Sequence, residues 1–298
     1  MMTRRRWMEA AGVAVVGVGM FGVTRRVHAA DDRQQAFLAE LKRLEHDSGG
    51  RLGVALLDTG TGSRMGCRTD ERFAMCSTFK LLVVGAVLSR LDAGKEDLER
   101  RIRFERTDLV AYSPITEQHT DGNGLSVAEL CAAAITHSDN TAANLLVASL
   151  GGTGSVTTFA RSLGDPVTRL DRVEPGLNEG REGDVRDTTT PIAMTGNLQA
   201  LVLGKSLTDG SRARLTDWLI ANTTGDARLR AGLPAGWRVG DKTGSGSHGT
   251  ANDIAVIWPT NRAPVILAVY LTQATVTAAQ QSAIIASVGR AASTAVGA

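Results

Sequence analysis

The spacing of apolar residues changes along the chain and predicts different elements in different regions. Over residues 33–47, apolar side chains recur every three or four positions, which predicts an amphipathic helix. Residues 52–58 and a following segment to Arg68 flank a Thr-Gly-Thr-Gly turn, a pattern that indicates a β-hairpin. The spacing is then helical from about residue 77 to residue 220. Helices are predicted there at 78–91, 127–136, 140–150, 155–163, 191–203 and 211–221.

Strand patterns return near the C-terminus. They cover residues 237–242, 252–258 and 265–271, and an alanine-rich helix is predicted at 276–291. Strands at both chain ends with helices between them indicate a two-lobed α/β fold. An antiparallel sheet built from both ends, with flanking helices, would hold residues 31–72 and 222–298, and an inserted all-α lobe would hold residues 73–221. Ligand sites favour the cleft between two such lobes.

The segment 169–187 within the helical lobe has no helix or strand period. It contains Pro175 and several glycines, and it is rich in charged residues. Irregular loops longer than about 12–15 residues are uncommon in compact domains and are often functional. A functional loop and a solvated surface excursion are both compatible with this composition.

The first thirty residues have the pattern of an export signal peptide. Three arginines precede an apolar run over residues 10–23 and a small-residue end at Ala29 and Ala30. The apolar run is shorter than the roughly 20 residues that a membrane-spanning helix needs. Residues 3–8 also resemble a twin-arginine leader. We expect a periplasmic or secreted protein without stable membrane insertion, and a monotopic N-terminal anchor is the alternative.

Charge and composition describe a soluble globular body. Hydrophobic residues make up 43% of the chain and charged residues 21%, which is ordinary for such proteins. Removing the arginine-rich leader takes the formal net charge from +2 to −2. A nearly neutral body gives no electrostatic reason to expect nucleic acid or an anionic membrane as a partner. A monomer is the default expectation.

The cysteines and histidines predict neither a disulfide framework nor a metal site. There are only three cysteines, Cys67, Cys76 and Cys131, and a low, odd number does not indicate a disulfide framework. The five histidines form no ligand spacing such as His-Glu-x-x-His. No metal and no cofactor are therefore expected. Cys76 is a possible nucleophile, but it stands directly before a better candidate, Ser77.

Ser77 and Lys80 open the first helix of the middle region. A serine at a helix start lies where free backbone N–H groups and the helix dipole stabilise negative charge. Lys80 follows on the same helical face about 5–6 Å away, and a crowded lysine that loses its proton can activate a hydroxyl. The pair is a candidate nucleophile and base. An N-cap serine followed by a surface lysine has the same spacing.

The tripeptide Ser138-Asp139-Asn140 lies at a break between two predicted helices. A loop at such a break can aim its side chains into a cleft. The same residue types also form ordinary helix N-caps, so the tripeptide alone does not decide between the two interpretations.

A second tripeptide, Lys242-Thr243-Gly244, ends a predicted edge strand and is followed by Ser245. A lysine and hydroxyl groups can hold a carboxylate, and the backbone there can offer an amide to an oxyanion. The alternative interpretation is a hairpin turn.

The combination of motifs is more specific than any one of them. Ser-x-x-Lys, Ser-Asp-Asn and Lys-Thr-Gly occur in the order found in class A β-lactamases and penicillin-binding proteins. Residues 174–178 (Glu-Pro-Gly-Leu-Asn) resemble the Glu-x-x-Leu-Asn motif of class A. Arg172 and Asp187 match an ion pair that ties this loop at its base, and Tyr112 matches the tyrosine at the pocket entrance. The sequence therefore resembles the class A serine β-lactamases over essentially its whole length after the leader.

This resemblance implies hydrolysis of the β-lactam amide bond of penicillins and cephalosporins in two steps. Ser77 Oγ would attack the lactam carbonyl, and a water activated by Glu174 would hydrolyse the resulting acyl-enzyme. Lys80 and Glu174 are both candidates for the base that takes the proton from Ser77. Ser138 would relay a proton to the leaving nitrogen, and Asn178 would help Glu174 to orient the water.

The resemblance also implies how the small-molecule β-lactam is bound. The backbone amides of Ser77 and Ser245 would hold the oxyanion. Lys242, with the hydroxyls of Thr243 and Ser245, would bind the substrate carboxylate. The other expected substrate-binding residues are Tyr112, Asn140, Gly244 and Arg228.

The sequence departs from the family pattern at two kinds of position. The arginine that many relatives carry on the strand after Lys-Thr-Gly is missing near Thr250–Asp253. Arg228 matches an alternative family position for the same contact, and a solvated surface arginine is the other interpretation. The partner position of Cys131 holds Val84, and Cys76 has no cysteine to pair with on the edge strand, so neither disulfide of the relatives is expected.

Two other activities share part of these motifs. A transpeptidase or carboxypeptidase acting on cell-wall peptides has the first three motifs, but it has no use for Glu174. A β-lactam sensor that stays acylated needs a membrane relay, and no apolar run of about 18 residues follows the leader. A hydrolase requires the Glu174 carboxylate within reach of Ser77 Oγ through at most one water.

Overall fold

A computed structural model describes residues 20–297 of the protein. Its strands are β1 (Arg51–Asp58), β2 (Arg64–Cys67), β3 (Phe73–Ala74), β4 (Arg101–Ile102), β5 (Leu125–Ser126), β6 (Thr188–Thr189), β7 (Arg238–Gly246), β8 (Thr250–Trp258) and β9 (Val265–Thr272). Its α-helices are α1 (Met20–Ser48), α2 (Lys80–Asp92), α3 (Val127–Thr136), α4 (Asn140–Ser149), α5 (Thr153–Ser162), α6 (Pro191–Leu198), α7 (Asp209–Ile220), α8 (Leu229–Gly232) and α9 (Ala278–Ala295). Short 3₁₀ turns cover Cys76–Phe79, Arg106–Asp108, Thr116–Gln118 and Gly176–Asn178, and a π-helical turn covers Gln199–Leu203.

One antiparallel sheet is assembled from both ends of the chain. Its strand order is β2-β1-β9-β8-β7, so β9 from the C-terminal region lies beside β1 from the N-terminal region. The pairing places Arg51 opposite Thr272 and Asp58 opposite Val265. Strand β7, which carries the Lys-Thr-Gly motif, is an edge strand of the sheet as predicted.

The two faces of the sheet belong to different cores. Because successive side chains of a strand point to opposite faces, β9 contributes to both. Ile266, Ala268 and Tyr270 join the core of the helical lobe, whereas Leu267 and Val269 join a second core with α1 and α9. The sheet is thus covered on both faces, and its edge strand β7 lies next to the helical lobe.

Helix α2 is the central element of the helical lobe. Every residue from Lys80 to Leu88 is buried, and α3, α4, α5 and α7 pack around it. A helix that is apolar on nearly all sides is stable only inside a core. The start of α2, where Ser77 and Lys80 lie, is therefore fixed by the packing of the whole lobe.

Three details differ from the sequence prediction. The helical lobe also contains two short antiparallel strand pairs, β3 with β6 and β4 with β5, which the apolar spacing does not indicate. Strand β7 continues to Gly246 instead of ending at residue 242, so the Lys-Thr-Gly motif lies within the strand and the hairpin turn follows it. The short helix α8 was not predicted. The residue boundaries of the two lobes stay a prediction.

The first helix begins earlier than predicted. Helix α1 covers Met20–Ser48, so it continues through the predicted leader boundary at residue 30. Residues 1–19, which hold most of the predicted leader, lie outside the described residues. Within residues 20–297, no helix combines the length and apolar content that crossing a membrane requires.

Candidate active site

Ser77 lies in the 3₁₀ turn that runs directly into α2. The preceding residue, Cys76, is buried and has a positive φ of 45°. A non-glycine residue in this region costs about 1–3 kcal/mol and persists only where its surroundings hold it. The turn therefore presents the half-buried Ser77 hydroxyl in a fixed direction at the N-terminus of the core helix.

Lys80 places its ammonium group beside the Ser77 hydroxyl. Its Nζ donates to Ser77 Oγ at 3.0 Å, to the Ser138 carbonyl at 2.7 Å and to Asn140 Oδ1 at 2.6 Å. The side chain is fully buried. Desolvation lowers the pKa of Lys80, and the nearby Glu174 carboxylate acts in the opposite direction. Lys80 is thus held in contact with the nucleophile by acceptors on Ser138 and Asn140, while its burial makes the charged form more costly.

Glu174 reaches both groups of this pair. Ser77 Oγ donates to Glu174 Oε1 at 3.2 Å, and Lys80 Nζ lies 3.2 Å from the same oxygen. The other carboxylate oxygen accepts a hydrogen bond from Asn178 Nδ2. Glu174 is buried, with 2% of its surface exposed. The carboxylate is well within the single-water reach that a hydrolase requires.

Asn144 holds the backbone of Glu174 against α4. Its Oδ1 accepts from the Glu174 N–H and its Nδ2 donates to the Glu174 carbonyl, both at 2.9 Å. Asn144 is not among the site residues predicted from the sequence. It lies four residues after Asn140 on the same helix, and residues at this spacing share one helical face. That spacing was the signal that could have found it.

The loop that carries Glu174 is tied at its base by an ion pair between the half-buried Arg172 and the buried Asp187. Arg172 Nε donates to Asp187 Oδ2 at 2.6 Å, and the other Asp187 oxygen accepts the backbone N–H groups of Asp171 and Arg172 at 2.7 and 2.8 Å. Asp187 is fully buried. Arg172 also pairs with Glu179 at 2.8 Å. The Arg172–Asp187 contact matches the prediction for this loop.

Ser138 lies between two lysines. Its Oγ accepts from Lys242 Nζ at 2.9 Å and from Lys80 Nζ at 3.3 Å. Ser138 itself has a positive φ of 58°, and the next residue, Asp139, caps α4 through the Ala142 N–H at 2.8 Å. The break between α3 and α4 thus holds the buried Ser138 inside the site and also forms the N-cap of α4, so both interpretations of the tripeptide apply. Burial lowers the pKa of Lys242 well below its usual range, and the charge of Lys80 adds to this shift.

Strand β7 passes very close to the nucleophile turn. A side chain at Gly244 would place its Cβ 2.8 Å from the Met75 carbonyl oxygen, and one at Gly246 would meet Cys76 Sγ at 2.7 Å. Both distances are too short for any other residue without movement of the turn. The close approach brings Thr243 and Ser245 alongside Ser77.

Arg228 belongs to this site. One of its nitrogens donates to the carbonyls of Gly244 and Asn252 at 2.8 and 2.6 Å, and another donates to Ser245 Oγ at 2.6 Å. A solvated surface arginine makes no such set of bonds. The guanidinium is held against β7, where the family position predicts a contact to the substrate carboxylate.

A cleft of about 570 Å³ opens in front of Ser77. Nine of the predicted site residues line it: Ser77, Tyr112, Ser138, Asn140, Asn178, Arg228, Thr243, Gly244 and Ser245. The other three, Lys80, Glu174 and Lys242, lie behind the wall of the cleft and contact Ser77 or Ser138. Tyr112 stands at the rim with 61% of its surface exposed. All the predicted site residues therefore come together around one cleft.

Comparison with known proteins identifies the family. The sequence model described as the β-lactamase enzyme family matches residues 36–296. A solved structure of the class A β-lactamase assigned to the last common ancestor of Gram-negative bacteria is 62% identical in sequence. Its TM-score is 0.86, and the match covers 88% of this chain and 99% of that one. The chain belongs to the class A serine β-lactamases.

Two curated β-lactamases show the same similarity in sequence. The enzyme CTX-M-97 from Escherichia coli is 56% identical over 234 residues, which cover 78% of this chain and 80% of that enzyme. The enzyme OXY-1 from Klebsiella oxytoca is 49% identical over 272 residues, which cover 91% of this chain and 92% of that enzyme. These similarities confirm the predicted fold class and the predicted class of enzyme.

The cysteines of this β-lactamase are poorly placed for nucleophilic chemistry. Burial raises the pKa of the Cys76 thiol to about 12, and it raises that of Cys67 to about 11. Thiols are nucleophilic only as thiolates, so Cys76 is a weaker candidate than its neighbour Ser77. All three cysteines, including the buried Cys131, are free thiols. Among residues 20–297, no cluster of three or more His, Cys, Asp or Glu side chains could hold a metal ion.

Proposed function

We propose that this β-lactamase hydrolyses the amide bond of penicillins and cephalosporins through an ester on Ser77. The observation that carries the proposal is the position of Glu174 Oε1, which is 3.2 Å from both Ser77 Oγ and Lys80 Nζ. A carboxylate in this place can serve the formation of the ester and also its hydrolysis. The second of these roles, hydrolysis of the ester, distinguishes a β-lactamase from an enzyme whose ester persists.

Acylation forms the bond between Ser77 Oγ and the lactam carbonyl carbon. Lys80 and Glu174 both contact the Ser77 hydroxyl, so both are placed to take its proton. The backbone N–H groups of Ser77 and Ser245 stabilise the negative carbonyl oxygen, and losing one such donor typically slows a reaction about 10²–10³-fold. The carbon–nitrogen bond of the ring then breaks, and Ser138 passes a proton to the leaving nitrogen.

Deacylation hydrolyses the ester, with water as the nucleophile. The Glu174 carboxylate takes a proton from a water held between its side chain and Asn178, and the resulting hydroxide attacks the ester carbon. The ester bond breaks, and Ser77 Oγ recovers its proton. The hydrogen bond from Asn178 to Glu174 keeps the carboxylate in the orientation that this step requires.

The substrate carboxylate binds at the β7 side of the cleft. Lys242 lies behind Ser138, while Thr243 and Ser245 line the cleft. Arg228 adds a second cation beside Ser245. Charge-assisted hydrogen bonds from such groups are about twice as strong as neutral ones, so this corner orients the lactam carbonyl toward Ser77.

The replacement Glu174→Gln tests the proposal. We expect this variant to be acylated by benzylpenicillin but to release product at least about 100-fold more slowly, because the general base of the second step is missing. Intact-mass spectrometry would show the accumulated acyl-enzyme. Glu182→Gln, the same change at an exposed position of the same loop, is the matched control and should turn over normally.

Three outcomes would contradict the proposal. Rapid multiple turnover by Glu174→Gln would remove Glu174 from the mechanism. Hydrolysis of nitrocefin by Ser77→Ala at a rate near that of the unchanged enzyme would place the nucleophile elsewhere. A single stoichiometric burst by the unchanged enzyme would favour a transpeptidase or a sensor.

We also propose that the enzyme is an exported monomer that binds no nucleic acid. The basic, apolar and small-residue pattern of residues 1–30 supports export to the periplasm or the medium, and the formal charge of −2 without them supports the absence of a polyanionic partner. Recovery of the secreted protein with its first thirty residues intact would contradict the proposed signal peptide. A dimer in light scattering would contradict the proposed monomer.

A further inference from the structure

A chain of hydrogen bonds links a buried carboxylate to the carboxylate-binding corner of the cleft. Asn222 Nδ2 donates to Asp241 Oδ2 at 2.7 Å. Thr224 donates to Asn222 Oδ1 twice, from its N–H at 3.1 Å and from its hydroxyl at 2.8 Å. The Thr224 and Thr243 hydroxyls then share a hydrogen bond. Asn222 and Asp241 are buried, whereas Thr224 is half-buried and faces the cleft.

The direction of this chain is set at its buried end. Arg230 Nε donates to Asp241 Oδ1 and forms an ion pair with it. Burial raises the pKa of Asp241, and the charge of Arg230 opposes that rise, so the ion pair favours the carboxylate, which can only accept. Burial, together with the charge of Asp241, raises the pKa of the nearby Asp253 well above the usual range, so burial favours the protonated form more strongly at Asp253 than at Asp241. Asn222 must therefore turn its NH₂ group toward Asp241 and its carbonyl oxygen toward Thr224.

The proton positions of the two threonines follow from this orientation. A hydroxyl has one proton to donate. Thr224 uses its proton on Asn222 Oδ1, so its oxygen can only accept in the bond with Thr243. The Thr243 hydroxyl consequently points its proton at Thr224 and away from the open part of the cleft.

Ser245, two residues further along β7, is in the opposite state. Its Oγ accepts from an Arg228 nitrogen at 2.6 Å. A guanidinium has no acceptor, so this contact leaves the Ser245 proton available to a ligand. The same corner thus holds one hydroxyl prepared to donate and one whose proton is already engaged.

We infer that Thr224 is a positioning residue that keeps the Thr243 hydroxyl from donating to the substrate carboxylate until substrate binds. The inference rests on the proposed role of Thr243 in carboxylate binding. Each substrate with a free carboxylate must exchange the Thr243–Thr224 hydrogen bond for a new one, whereas a substrate whose carboxylate is esterified has less to gain from that exchange. Thr224 therefore weakens the binding of carboxylate substrates selectively.

The replacement Thr224→Val tests this, since valine keeps the β-branched shape and removes the hydroxyl. We expect KM for benzylpenicillin to fall roughly 2- to 10-fold, the range of one net hydrogen bond, with kcat changed less than about 2-fold. KM for benzylpenicillin methyl ester should stay the same. Thr224→Ser should restore the original KM. Thr223→Val is a matched control, because the Thr223 hydroxyl donates to the Thr136 carbonyl outside the chain of bonds.

A parallel Thr243→Val variant separates the possible failures. If it leaves the KM ratio of the acid to the ester unchanged, Thr243 has no role in carboxylate binding and the inference falls with that assignment. If it raises the KM of the acid while Thr224→Val, and the second variant Thr224→Ala, leave it unchanged or raise it, the inference alone is overturned. If the inference holds, Thr224→Val has no further effect in the Thr243→Val background.

Discussion

The nucleophile and the deacylating carboxylate are supported by two very different parts of the molecule. Ser77 stands at the start of α2, whose residues Lys80–Leu88 are all buried in an apolar core. Glu174 stands on a loop of residues 169–187 with only one short 3₁₀ turn, held by ion pairs and side chain–backbone hydrogen bonds. Apolar packing fixes the first group, and a few polar contacts fix the second.

This difference indicates that the two chemical steps respond differently to mutation. Core packing is distributed over many contacts, so a single truncation lowers the stability of the whole lobe and leaves the geometry of the folded enzyme nearly unchanged. The loop depends on a small number of polar contacts, so the loss of one of them changes local structure. Damage to the core should affect the amount of folded enzyme, while damage to the loop should affect deacylation.

The largest effect is expected from Arg172→Ala. Removing one partner of a buried pair typically costs about 3–5 kcal/mol, because Asp187 stays buried without its cation. We expect deacylation to slow by about 10² or more, with acylation much less affected. Stopped-flow acylation and the decay of the acyl-enzyme by mass spectrometry measure the two steps. Arg181→Ala, at an exposed ion pair on the same loop, should change neither, and an equal loss in both steps would contradict the comparison.

Leu88→Ala, on the buried face of α2, should give the opposite pattern. Truncating a fully buried leucine typically lowers the free energy of unfolding by about 2–5 kcal/mol. The kcat of the folded enzyme should change less than about 2-fold, since Leu88 lies about three helical turns from Ser77. Urea unfolding and active-site titration measure both quantities, with the exposed Arg90→Ala as control. A large fall in kcat per active site would show that the core also tunes the chemistry.

The same contrast explains what the sequence could predict. Helix α3 was predicted at 127–136 and is found at Val127–Thr136, because its apolar period is strong and a capping box from Ser126 marks its start. The loop has no period, and Glu174 was found only through its resemblance to a family motif. The predicted end of β7 at residue 242 was wrong, because glycines such as Gly244 and Gly246 are typical of a turn. The structure shows that they stay in the strand and allow it to approach the nucleophile.

Residues whose roles depend on their neighbours in space were not predictable. Asn144, Asn222 and Thr224 are ordinary polar residues in the sequence, and each matters because of what the fold places beside it. The pair of β3 with β6 joins segments more than a hundred residues apart through two residues each, which gives no local pattern. Motifs thus predict the reacting groups well, whereas the residues that hold those groups in place can be identified only from the structure.

The smallest effect is expected from Asn144→Ala, which tests the support of Glu174 without touching an ion pair. The change removes both hydrogen bonds from the side chain to the Glu174 backbone. Each net hydrogen bond is worth about 0.5–1.5 kcal/mol, so deacylation should slow by roughly 10-fold, less than in Arg172→Ala. Acylation of the same variant is the internal control, because Ser77 and Lys80 keep their places on α2. If acylation slowed as much as deacylation, the Glu174 carboxylate would serve both steps equally. The core and the loop would then not control separate chemical steps.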